Sequence, residues 1–221
     1  NFVAPIPALF ADLSPERGFT YDGGIEMALK RKTWTLRANA TLFDSHISDW
    51  ILWTPNTKGF WEPSNVKKVH NYGMEASLDG SVLLARDWKL SLLANFAWTP
   101  SKNIGEDIND NDASYGKQLC YVPKVSANVN ARLQWRTWTL AYQWNHYSER
   151  YTTTSNEVNY ITGRLRPYYM TDLSLEKTFR FRAIDCALKG VVNNLYSTEY
   201  VTVLSRPMPR RNYEIYLTIK L

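Results

Sequence analysis

"VSANVNARLQWRTWTLAYQWNH" runs from Val125 to His146 and contains two stretches of strict alternation separated by Arg136 and Thr137. In the first, Val125, Ala127, Val129, Ala131, Leu133 and Trp135 share one parity, and Ser126, Asn128, Asn130, Arg132 and Gln134 share the other. In the second, Trp138, Leu140, Tyr142 and Trp144 oppose Thr139, Ala141, Gln143 and Asn145. Successive side chains of a strand point to opposite faces, so this period of two predicts an antiparallel hairpin with one apolar and one polar face. The apolar face must meet either a protein core or lipid.

The same alternation recurs along the chain, at Phe19 to Leu29, Trp34 to His46, Lys68 to Val82, Asp87 to Trp98, Tyr168 to Thr178, Ala183 to Asn193 and Tyr213 to Leu221. Nine strands result, and their connections alternate in length. Lys30–Thr33, Leu83–Arg86, Arg136–Thr137 and Phe179–Arg182 are short, whereas Ile47–Lys67, Thr99–Cys120, Tyr147–Pro167 and Asn194–Pro209 are long. Short turns at one end and long polar loops at the other are the pattern of an antiparallel transmembrane β-barrel, with the long loops outside the cell.

Composition agrees with this reading. The 221 residues include nine Trp, fourteen Tyr and eight Phe, two Cys, and a formal net charge of +5. The mean hydropathy of −0.39 is what a barrel gives when lipid-facing and lumen-facing residues cancel. No run reaches the roughly 18 apolar residues of a spanning helix, which excludes a helical membrane protein. The Lys and Arg residues are scattered rather than gathered in a patch, so nucleic acid is not an expected partner. Cys120 and Cys186 fall in different predicted strands toward opposite ends of the wall, and no disulfide between them is expected.

Aromatic placement decides for lipid. Trp34, Trp88, Trp98, Trp135, Trp138 and Tyr169 stand near strand ends on the apolar parity, where rings with one polar edge settle at headgroup level, and the strand middles between them are Val, Leu and Ala. Each run also has the roughly 9 to 11 residues that a tilted membrane strand needs, or slightly more. Nine is odd, whereas single-chain bacterial barrels have even strand numbers. The expectation is therefore a C-terminal portion of a larger barrel over 18–221, preceded at 1–17 by the end of an extracellular loop.

Four segments, in order, resemble the TonB-dependent outer-membrane receptors of Gram-negative bacteria. "ADLSPERGFTYDGGIE" is similar to the family's Asn-Pro-x-Leu-x-Pro-Glu box and following strand through Leu13, Pro15, Glu16, Gly24 and Glu26, with Ala11 and Asp12 replacing Asn-Pro. "VHNYGMEASLDG" matches an Asn-x-Gly-x-Glu strand at Asn71, Gly73 and Glu75, and "KGVVNNLYSTEYV" a penultimate-strand motif at Val192, Asn194, Leu195, Tyr196 and Tyr200. "RPMPRRNYEIYLTIKL" resembles the lead-in to the last strand at Pro207, Pro209 and Arg211, with Arg210 where the family has Gly and Leu221 where an aromatic usually closes the chain. The resemblance implies a barrel of about 22 strands holding a plug. It also implies energised uptake of a scarce ligand such as an iron-siderophore, haem, cobalamin or an oligosaccharide. The plug, the remaining strands and the contact with TonB would lie N-terminal to this segment, and the surrounding medium would be outer-membrane lipid. The alternatives are a soluble carbohydrate-binding β-protein and a passive porin.

Candidate ligand contacts are of two kinds. Trp53, Phe60 and Trp61 fall in the first long loop, where exposed rings suit stacking on a sugar or flat ligand. Arg206, Arg210 and Arg211 flank the last loop, where guanidinium forks suit carboxylate or phosphate, an ion pair with Glu214 or a lipopolysaccharide contact being the other uses. His46, His70 and His146, the only histidines, lie near extracellular strand ends on the apolar parity and are expected there as interfacial residues rather than metal or haem ligands. "GEDINDNDASYG" has a calcium-loop rhythm, but counting from Asp107 its sixth and twelfth positions hold Asp112 and Gln118 instead of Gly and Glu. No metal or cofactor is expected, and no nucleophile elbow or phosphate loop is present, so the chain reads as a non-enzyme.

Overall fold

The computed structural model describes residues 13–55, 61–105, 113–158 and 163–220. Among these residues there are fourteen strands: β1 (Arg17–Lys30), β2 (Trp34–Pro55), β3 (Trp61–Ala85), β4 (Trp88–Trp98), β5 (Ser101–Asn103), β6 (Val125–Trp135), β7 (Trp138–Tyr147), β8 (Arg150–Tyr151), β9 (Arg164–Leu165), β10 (Tyr168–Phe181), β11 (Ile184–Asn193), β12 (Val201–Val203), β13 (Arg206–Pro207) and β14 (Asn212–Lys220). Nine of them form one antiparallel meander in the order β1-β2-β3-β4-β6-β7-β10-β11-β14, with the short β5 folded back on β3. Each expected strand is there, next to its expected neighbours. The sheet does not close on itself among the described residues, since β1 and β14 each pair on one side only.

The register carries one parity across the whole wall. Phe19 faces His46 and His46 faces His70; Met74 faces Trp98, Trp98 faces Val125, and Ala127 faces His146. His146 then faces Tyr169, Leu173 faces Val192, and Val192 faces Tyr213. Because pairing keeps opposed side chains on one face, this chain of partners joins the apolar positions of all nine strands into one surface.

Among the described residues nothing packs over that surface. Leu140, Leu175 and Leu188 belong to central strands flanked on both sides, yet they are 41%, 48% and 48% exposed. Among the described residues only Val69, Leu165 and Tyr168 are buried large apolar side chains. Burying one Leu or Val recovers roughly 1.5 to 3 kcal/mol. A stripe of this size left in water would forfeit tens of kcal/mol, which is the pattern of a wall whose outer face meets hydrocarbon.

The polar face is the concave one. A single trough is lined at once by Asn130 and Arg132 of β6, Gln143 of β7, Asp172 and Glu176 of β10, Lys189 of β11 and Glu214 of β14. Five successive strands can reach one cavity only where the sheet curls toward that side. The wall is thus apolar outside and polar inside.

One long connection expected above is largely strand. The stretch Ile47–Lys67 continues as strand to Pro55 and again from Trp61, so β2 and β3 form a hairpin that projects well past the other strands. The pairing shifts register between Ile47 and Trp50, where Asp49 has a left-handed φ of 58°. Side chains bridge this irregularity and tie it to the segment before β1: the Ile51 amide donates to Glu16 Oε1 at 2.9 Å, and Asn65 Nδ2 of β3 donates to the carbonyls of Ser14 and Asp49 at 2.8 and 2.6 Å. Gly73 is required by close approach, because a Cβ there would lie 1.9 Å from the Trp98 carbonyl oxygen.

Candidate functional site

The inward wall is a ladder of hydrogen-bonding groups. Asn95 donates to Asn128 Oδ1 at 3.0 Å across β4 and β6, and Asn193 donates to Asn212 Oδ1 at 2.8 Å and Glu214 Oε1 at 2.9 Å across β11 and β14. Tyr216 hydroxyl also donates to Glu214. Thr20 bonds Ser45 at 2.9 Å, and Arg37 stands 3.7 Å from Glu26. Such a lining suits water, a polar plug or a passing solute, and it leaves the outward face free of polar demands except at the rims.

Above the wall, the long connections fold on one another instead of hanging free. β5 returns to β3, pairing Val69 with Asn103. Asn103 donates to Ser114 Oγ at 2.9 Å, Ser101 amide donates to Gln118 Oε1 at 3.0 Å, and the Gln118 amide donates to Asn156 Oδ1 at 2.7 Å. The Gln118–Asn156 bond ties the connection before β6 to the one after β7. A second tie closes the motif after β11. Asn194, in a left-handed turn with φ 51°, takes the Thr198 amide at 2.8 Å, its own amide donates to Asp172 Oδ1 at 2.8 Å, and the Leu195 amide donates to the Thr171 carbonyl at 2.7 Å. The side-chain bonds explain why an Asn stands there.

Between the two ties sits Arg150. It is 5% exposed, its Nη2 donates to the Val201 carbonyl at 2.9 Å, and its guanidinium lies 5.0 Å from the Tyr168 ring centre. Tyr168 in turn packs against Tyr147 at 5.4 Å and Tyr200 at 4.7 Å. Tyr147 and Tyr168 face each other on the inward parity, so the guanidinium packs against the inward side of the wall at the end that carries the long connections. Arg150 has no carboxylate partner among the described residues, and its Nε has no hydrogen-bond partner. A buried cation in that condition carries a desolvation cost of several kcal/mol that an anion would offset. Burial first, and then the charge of Asp172, pushes the Tyr200 hydroxyl above the ordinary tyrosine pKa, so it stays a neutral donor.

The residues expected to contact ligand are not brought together in this cluster. Trp53 and Trp61 lie on the projecting β2–β3 hairpin, opposite Pro63 and Pro55, instead of in an irregular loop, and Phe60 lies outside the described residues. The acidic run at 106–112 also lies outside them. Arg206 begins β13 and Arg211 precedes β14; both are exposed and without a carboxylate partner among the described residues. Arg210 pairs with Glu199, not with Glu214, because Glu214 is taken by Asn193 and Tyr216. The three histidines lie on the outward parity, and His46 and His70 also meet Asp44, which sequence reasoning passed over. Cys120 and Cys186 both carry free thiols.

An antiparallel wall that is apolar outside, polar inside and roofed at one end defines a membrane-spanning barrel of the receptor type. A family model of the TonB-dependent receptor-like β-barrel matches residues 3–195. The chain belongs to that family. Among solved structures it is similar to the ferric-catecholate import receptor Fiu from E. coli K12, with a TM-score of 0.66 at 18% identity over 93% of this chain and 28% of that one. It is also similar to the ferric preacinetobactin receptor BauA of Acinetobacter baumannii (0.63, 15%, 90% and 29%). A third likeness is to the copper transporter OprC (0.64, 15%, 94% and 31%). At such identities the likeness is one of fold, and the chain spans less than a third of each of these proteins. Nothing among curated protein sequences matches it.

Proposed function

We propose that this chain is barrel wall and extracellular roof of an outer-membrane receptor that binds a scarce ligand and imports it with energy relayed by TonB. The plug, the remaining strands and the TonB-contacting segment belong to the rest of the receptor. The observation that carries the ligand class is Arg150, a buried guanidinium packed on the inward-facing Tyr168 without a carboxylate partner among the described residues. Such a group favours a ligand with anionic oxygens, held by charge-assisted hydrogen bonds. Ferric chelates with catecholate or carboxylate donors fit this description, and the solved relatives named for ferric-catecholate and ferric preacinetobactin support the same class. Arg206 and Arg211, exposed on the last connection, supply further cations for a first encounter, while the aromatic residues Trp53, Phe60 and Trp61 supply stacking surface.

The test is uptake of radiolabelled ferric citrate and ferric catecholate complexes by iron-starved cells expressing the intact receptor. Uptake of at least one is expected, and it stops when TonB is deleted or the proton gradient is collapsed. In the Arg150→Gln variant, surface binding weakens more than about tenfold, as expected for a lost charged contact of 1.5 to 3 kcal/mol. Uptake that ignores TonB would make the barrel a passive pore. Binding of neutral oligosaccharides with no loss in Arg150→Gln would overturn the anionic class.

A further inference from the structure

The outward face carries one group that lipid does not explain. Asp44 stands on the apolar parity of β2, opposite Tyr21 and Tyr72. Two residues on along the same face is His46, directly opposite His70 of β3. Asp44 Oδ2 lies 2.7 Å from His70 Nε2, and Asp44 Oδ1 lies 3.1 Å from His46 Nδ1. The two imidazoles stack at 4.3 Å, and the three donor atoms all fall within 4.8 Å of one another. His46 Nδ1 is buried yet makes no hydrogen bond, so the short approach to Asp44 leaves a ring nitrogen unspent.

Height on the wall makes the charge tolerable. Asp44 is ten residues above Trp34 at the opposite end of β2. With a rise of about 3.3 Å per residue and a tilt near 45°, it stands about 23 Å up, at the upper edge of an apolar band about 25 Å tall. Rings of Phe19, His46, His70, Tyr72 and Trp98 form a continuous belt at this level across β1 to β4. A carboxylate at the band edge costs little, and less than the same group would at mid-depth.

We propose that Asp44, His46 and His70 bind a divalent transition-metal ion of the zinc type on the outside of the barrel, at the outer headgroup layer. Two imidazole nitrogens and one carboxylate oxygen are a ligand set that zinc accepts. Bond lengths near 2.1 Å in a tetrahedron put donors about 3.4 Å apart. The observed 2.7 and 3.1 Å separations open to that value by small rotations of side chains that are 47%, 39% and 27% exposed for Asp44, His46 and His70. The fourth position faces the headgroup layer, where water or a phosphate oxygen completes the shell. The ion would bind just below the register shift at Ile47–Trp50, and so would clamp the root of the projecting β2–β3 hairpin. This site is on the face away from the trough, and it stands or falls independently of which ligand the receptor imports.

The experiment is titration of the tag-free intact receptor with zinc chloride alone, by calorimetry in detergent micelles. One saturable equivalent is expected that is weakened at least about tenfold in each of Asp44→Asn, His46→Gln and His70→Gln, the least that disturbing even a supporting shell costs. Because a variant could fail to fold, the wild-type protein gives a second readout. Zinc should protect His46 and His70 from diethyl pyrocarbonate, followed by mass spectrometry, while His146, stacked on Trp144 elsewhere in the belt, stays reactive. Absence of saturable binding, unchanged affinity in the three variants, or equal modification of all three histidines with and without zinc would overturn the site.

Discussion

Replacing Val129 by Arg puts the sidedness of the wall to an energetic test. Val129 lies on β6 between Ala94 and Trp144, four residues from Val125 and six from Trp135. At a vertical rise of about 2.3 Å per residue, from strand rise and tilt, it stands within a few ångströms of the bilayer midplane. An arginine facing lipid at that depth costs about 2 to 4 kcal/mol, a shift of about 30- to 700-fold in the folding equilibrium. The neighbouring Asn130 is at the same depth but faces the trough, alongside Asp172, Glu176 and Glu214. An arginine there meets water and carboxylates, and its effect should stay within about 0.5 kcal/mol, as for an ordinary exposed substitution. Urea unfolding of the intact receptor from phospholipid bilayers, followed by tryptophan fluorescence, measures both variants. Equal costs, or a larger cost at Asn130, would refute the assignment of faces.

Two further outcomes follow from local geometry. Gly73→Ala should destabilise the receptor by about 1 to 3 kcal/mol, as overpacking does, because its Cβ would collide with the Trp98 carbonyl; Gly190→Ala, whose Cβ meets nothing within 4 Å, is the control. Burial raises the Cys120 thiol above its ordinary pKa, outweighing an opposing backbone hydrogen bond, so iodoacetamide should alkylate it more slowly than a free thiol at pH 8, and its rate should level off only at higher pH than a free thiol's. A plateau at or below the free-thiol midpoint, read by mass spectrometry, would contradict that environment.

The nine wall strands were legible because both media act on every residue: lipid on one parity and the trough on the other impose a period of two with few exceptions. The projecting half of the β2–β3 hairpin was not, because beyond the membrane neither face is constrained and the register shift at Ile47–Trp50 breaks the period. β8, β9, β12 and β13 are two or three residues long, too short for any periodicity to show. Arg150 escaped notice because nothing next to it in sequence makes it buried; its cover comes from Tyr168 and Val201 on distant segments. Asp44 was visible in principle as a carboxylate on the apolar parity, but its meaning depends on His70, which only the β2–β3 register supplies.

Depth-resolved accessibility tests the outward-facing apolar stripe most directly. With Cys120 and Cys186 replaced, single cysteines at Val129, Leu140 and Leu217, and at Asn130, Ala141 and Thr218, carry nitroxide spin labels in the intact receptor in bilayers. The account predicts relaxation by lipid-dissolved oxygen at the first three and by a water-soluble nickel chelate at the second three. The same quencher reaching both sets equally, or the reverse pattern, would contradict it.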